Sequence, residues 1–211
     1  MGAPEPFWLV GTRWRLFWAA LTALPLLWPT FPPLEDLPGH IARFRIAMAG
    51  TASPLAEFYG FHWRLIGNLG VDLLVQPLAG LVGLEPAVKI VVLLIPPLTA
   101  WGLMAIAQEV HGRVPSTTLL ALPLALGWPF VFGFVNFTLA MALALNAFAL
   151  WLRLGRQGRL GLRAALFVPI GLLVWLAHAF GWGVLGLLAF AGEVERLRAP
   201  GTRWLALALR A

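Results

Sequence analysis

Six apolar runs, separated by short clusters of arginine, leave this chain no means of building a water-soluble surface. The runs cover residues 16–31, 66–84, 86–108, 116–132, 135–152 and 164–190. Charged residues make up 11% of the chain and hydrophobic ones 60%, whereas a soluble domain carries roughly 25% charged residues. A helix needs about 20 apolar residues to cross a bilayer. The expected fold is therefore all-α: a polytopic transmembrane helix bundle, one transmembrane domain over residues 1–211. Eleven tryptophans against one tyrosine suit an interfacial aromatic belt.

The net charge of +6 comes from arginine clusters between apolar runs, which points to membrane lipids as partners and not to nucleic acid. With no cysteine, disulfides, thiolate catalysis and cysteine metal sites are excluded. Arg13 and Arg15 precede the first run without a small-residue cleavage site after it, so it reads as an uncleaved signal anchor with a cytoplasmic N-terminus.

Positive charge sets the topology. The strongest basic loop, "RLGRQGRLGLR", falls outside if every run crosses once, and inside if 66–84 does not cross. That run also carries Asn68, Asp72 and Gln76 at four-residue spacing, one polar stripe on a helix. It reads as an amphipathic helix in the outer interface, within one external segment over about 32–85. In the same segment "GHIARFRIAMAG" reads as a short amphipathic helix. The run 164–190 accommodates one tilted helix or two short ones turning near His178, and two would return Glu193, Glu195, Arg196, Arg198 and Arg203 to the cytoplasm. The chain closes on "RWLALALRA", which reads as the beginning of another element of a longer protein.

Glu35 and Asp36 stand in "FPPLEDLPGH", where the first run meets the outer face. Desolvation at such a mouth makes a carboxylate a better base, able to take a proton from an acceptor hydroxyl. The simpler alternative is that the pair caps the helix beginning near Pro38. His40, four residues on, shares a helix face with Asp36, which suits a carboxylate–imidazole pair or half of a divalent metal site. An interfacial histidine is the plain alternative. Lys89 sits at the outer end of its run, against the positive-inside trend, where it either binds a lipid-linked phosphate or snorkels to the headgroups. Arg43, Arg45 and Arg64 belong to the same external surface. Asn136 and His178 fall at outer turns and either line the same cavity as Asp36 or serve as local turn residues.

This layout resembles the GT-C superfamily of polytopic membrane glycosyltransferases, the protein mannosyltransferase and aminoarabinose transferase types among them. The resemblance lies in a cytoplasmic N-terminus, one span, then a long external loop that opens on an acidic motif, here "LEDLPGH". "NLGVDLLVQPLAGLVGLEPAVKI" resembles the interfacial helix leading into the next span. The resemblance implies sugar transfer from a polyprenyl-phosphate donor to an acceptor the sequence does not name, in a bacterial-type inner membrane. It makes Asp36 the catalytic base with Glu35 in support, and places the donor phosphate on Lys89, aided by Arg64 and Arg43. His40, Asn136 and His178 would line the cavity. The second acidic position of that family is Asn136 here, and a later turn that often carries Lys is His178. A divalent metal ion is admitted but not required. The rival reading is a non-enzymatic polytopic protein, such as a transporter half or an assembly partner.

Overall fold

The computed structural model describes residues 11–50 and 53–198, and among these the secondary structure is helical without strands. The terminal "RWLALALRA" stretch, with Arg203, lies outside the described residues. Three helices are long and apolar enough to cross a membrane: α5 (Leu84–His111), α7 (Val135–Arg156) and α8 (Leu160–Ala177). The chain is a helical membrane protein. The remaining helices are α1 (Thr12–Leu21), α2 (Leu24–Leu27), α3 (Leu37–Ala49), α4 (Gly70–Val82), α6 (Trp128–Val131) and α9 (Ala179–Leu197).

Contacts fix the directions. Arg15 at the start of α1 donates to Gln108 near the end of α5, and Lys89 near the start of α5 donates to the carbonyls of Leu27 and Pro29. Those two helices are antiparallel. Asn146 donates to the Leu98 carbonyl and Arg153 pairs with Glu109, so α5 and α7 run parallel. A β-carbon on Gly181 would stand 2.5 Å from the Ala140 Cβ, so α9 lies directly against α7. Two small residues are what allow that approach.

Two runs fold differently from the expectation of one helix each, and a third, 164–190, follows its two-helix reading. The first divides into α1 and α2, since Pro25 has no N–H to offer the Leu21 carbonyl. Within 116–132, residues Ser116–Leu126 form a 3-10 helix, followed by α6. Its burial shows the period of three that this geometry imposes: Leu119, Leu122 and Ala125 face inward, whereas Leu120 and Pro123 are exposed. The run 164–190 is two helices, broken at His178, whose backbone is extended.

The central residue of the polar stripe on α4, Asp72, faces the interior and not water. Asp72 is fully buried, while Leu73, Leu74, Leu81 and Val82 are exposed. The helix therefore buries Asp72 beside Val71, Val75 and Ala79 and turns a second apolar face outward. A partner inside the bundle makes this favourable: Arg43 on α3 approaches Asp72 at 2.6 Å, and Asn136 on α7 donates to its other oxygen at 3.1 Å. Leu37 and Phe44, 1% and 0% exposed, seat α3 in the same core as Val71, Val75 and Val88.

The bundle thus has two unlike ends. One carries Arg15, Arg113, Arg153, Arg156, Arg159, Arg163 and Arg196; the other carries the Glu35–Asp36 loop, α3, the start of α7 and the His178 turn, with fewer cations, Arg43 and Arg45 on α3 and Lys89 at the start of α5.

Candidate functional site

At the end away from the larger arginine cluster lies a cavity of about 470 Å³, lined by Asp36, His40, Asn68, Pro129, Phe134, Asn136, Phe137, His178 and Phe180. Three separated parts of the chain build it. The first is the loop before α3, held by backbone bonds from the Glu35 and Asp36 amides to the Val131 and Phe132 carbonyls at 3.1 and 3.0 Å. The second is the start of α7. The third is the His178 turn, which the 67–69 strap grips on both sides: the Leu69 amide donates to the Leu176 carbonyl and the Ala179 amide to the Gly67 carbonyl.

Asp36 occupies the N-cap position of α3 but makes no side-chain cap bond. Its carboxylate instead lies 3.5 Å from His40 Nε2, one helical turn on. At 59% exposure it is not enclosed by the fold, whereas the sequence reading supposed a desolvated carboxylate. Glu35 is exposed and does not line the cavity.

His40 is more enclosed, with its side chain 16% exposed. Burial lowers its pKa and the Arg43 charge adds to this, while the nearby Asp36 and Asp72 carboxylates oppose. His178 is also lowered by burial. Its Nδ1 accepts the Phe180 amide proton at 3.2 Å, capping α9, so the neutral ring carries its proton on Nε2. The rings of Phe137 and Phe180 pack around it.

Asn136 is at the cavity but its side chain is committed. Its Oδ1 accepts the Val71 amide at 2.6 Å, and its Nδ2 donates to the Asn68 carbonyl and to Asp72. It therefore caps α4 from a distant helix and neither closes its own turn nor stands free for a ligand.

The three cations expected to hold a donor phosphate do not gather here. Lys89 is bound to two backbone carbonyls where the chain leaves α2, at 3.0 and 2.8 Å. Arg43 is paired with Asp72, and Arg64 is exposed away from the cavity lining. Both pairings correct the sequence expectation for the same reason: a half-buried cation takes the acceptors its own fold supplies. Arg45, from the same surface, pairs with Glu85. Nor do the residues fit a divalent metal. Among the described residues no three His, Asp or Glu side chains converge, and Asp36 with His40 supplies only two ligands.

Sequence reasoning missed Asp72 as an interior ion-pair partner, and it missed Gly133. A β-carbon at Gly133 would fall 2.8 Å from the Asp36 amide nitrogen, and its φ of +83° disfavours any other residue. Gly133→Val is expected to push the Asp36 loop off α6, which accelerated proteolysis between α2 and α3 would reveal in the purified protein. No family model matches the chain, and no curated protein or solved structure matches it.

Proposed function

We propose that this chain is a membrane glycosyltransferase module of GT-C type, transferring a sugar from a polyprenyl-phosphate donor at the outer face of the membrane. The observation that carries this reading is the Asp36–His40 pair opening onto a largely apolar cavity, at the end of the bundle opposite the larger arginine cluster. The positive-inside trend assigns the arginine end to the cytoplasm and the cavity to the outer leaflet, where a lipid-linked donor presents its head.

In this reading the acceptor hydroxyl gives its proton to the Asp36 carboxylate as its oxygen attacks the anomeric carbon. The sugar–phosphate C–O bond breaks, and the polyprenyl phosphate leaves with the electron pair. His40 orients the carboxylate from one turn away. His178 Nε2–H is the neutral donor available to a phosphate oxygen, a role the sequence reading gave to Lys89. Phe134, Phe137 and Phe180 offer the lipid chain an apolar wall.

The direct test is transfer of labelled sugar from a polyprenyl-phosphate donor by membranes carrying the full chain, with and without Asp36→Asn. Transfer that Asp36→Asn leaves unchanged overturns the assignment. No transfer from any such donor leaves the non-enzymatic reading in its place.

The pH dependence follows from the two histidines. Both pKa values lie below the ordinary 6.5, so both rings take up protons at a lower pH than a free imidazole does. Unfolded imidazoles protonate first, so stability present above pH 6.5 is lost as the pH falls through the lowered values. Protonated Nδ1 of His178 can no longer accept the Phe180 amide. Transfer rate and melting temperature should therefore fall together below pH 6.5, and a flat acid limb in both would contradict the assignment.

A further inference from the structure

A second cavity, of about 480 Å³, opens at the arginine end over α7, between α5 and α9. Its floor is low because Gly155 and Gly192 carry no side chains there. A β-carbon on Gly155 would meet Arg163 Nη1 at 2.9 Å, and one on Gly192 would meet the Phe148 ring at 3.2 Å. Phe148, Leu152 and Val110 give it an apolar wall.

Two charged clusters flank this groove. Glu109, its side chain 5% exposed, is shared by Arg153 Nε at 3.0 Å and Arg156 Nη2 at 2.6 Å. Glu193, 7% exposed, is shared by Arg163 at 2.6 Å and Arg196 at 2.7 Å. Each cluster holds two guanidiniums on one carboxylate, so each carries one positive charge in excess. The buried carboxylates spend themselves in fixing the arginines. Arg156 and Arg196 both line the groove, are 55% and 37% exposed, and have more N–H groups than their carboxylate contacts use. Glu195 also lines the groove, but Arg198 faces that carboxylate at 3.6 Å, so positive charge remains in excess beside an apolar trough, which matches a ligand that carries both a phosphate and a hydrocarbon chain.

We propose that this groove is a binding site for an anionic phospholipid of the membrane. Its phosphate sits between Arg156 and Arg196, and an acyl chain lies along Phe148, Leu152 and Val110. The site is separate from the sugar-transfer cavity and does not depend on that activity. It differs from general attraction of arginines to a negative surface because the charges are held in place and the chain has a trough.

The test is the melting temperature of the purified full chain in detergent, titrated with phosphatidylglycerol, phosphatidylcholine or inorganic phosphate. Phosphatidylglycerol should raise it, and the other two should not. Arg156→Gln leaves Glu109 paired with Arg153 and should raise the phosphatidylglycerol concentration needed about tenfold. Leu152→Trp fills the trough without changing charge and should weaken binding likewise. Arg159→Gln removes the same charge from an exposed position at the same end, outside the groove lining, and should change nothing. An equal loss in Arg159→Gln would reduce the site to diffuse surface charge. An equal rise with inorganic phosphate would make the ligand a soluble anion. Unaltered titrations in both Arg156→Gln and Leu152→Trp would overturn the site itself.

Discussion

Under the proposed sugar-transfer reading, Asp36→Asn is expected to lower transfer by about a hundred- to ten-thousandfold, while the amount of protein inserted in the membrane stays the same. The two halves of that expectation rest on different observations. Asparagine keeps the shape of the side chain but cannot take up a proton, so the base is lost. Structure is spared because the carboxylate makes no cap bond and is 59% exposed. The loop is held instead by the Asp36 amide on the Phe132 carbonyl, which the substitution leaves alone. Labelled-donor transfer in membranes gives the rate, and an immunoblot of the same membranes gives the amount. A fall in both together would mean that Asp36 is structural after all.

The largest loss of stability should come from Glu193→Ala. Its Oε1 accepts from Arg163 at 2.6 Å and from the Trp151 indole at 3.0 Å, and its Oε2 accepts twice from Arg196. Removing it leaves Arg163, 9% exposed, as an interior cation with only the Trp151 ring 4.0 Å away. Breaking a buried pair from one side costs about 3–5 kcal/mol, since the desolvated charge remains. Removing the charge as well should recover much of this, so Glu193→Leu combined with Arg163→Met is expected to melt well above Glu193→Ala. Thermal melting of the purified chain decides it: a double variant no more stable than the single one would show that the arginine is not the source of the loss.

Much of the helical layout could be read from the chain, because lipid demands long apolar runs and the chain has little else. The break at His178 could also be read, as could the four-residue step that sets Asp36 against His40. That Asp36, Asn136 and His178 fall at one end followed from counting crossings against arginines. The direction of the α4 stripe did not follow. Spacing places Asn68, Asp72 and Gln76 on one face, but a polar face is satisfied equally by water or by an interior partner. The partners that decide it, Arg43 and Asn136, lie on other helices at separations no local pattern encodes. Lys89 was opaque for the same reason, its acceptors being carbonyls left over where α2 ends before Pro29. The Glu193 cluster gathers Trp151, Arg163 and Arg196 from three helices and left no motif behind.

The 3-10 helix of 11 residues between α5 and α7 has a mechanical consequence. At about 2.0 Å per residue it reaches about 22 Å, where an α-helix of the same length would reach about 17 Å. It is thus the return leg of the bundle drawn near its greatest helical length, with little slack. Its far end leads through α6 to Gly133, on which the Asp36 loop rests. The segment is thus an extended strut that joins the arginine-rich end of the bundle to the turn on which the Asp36 loop rests.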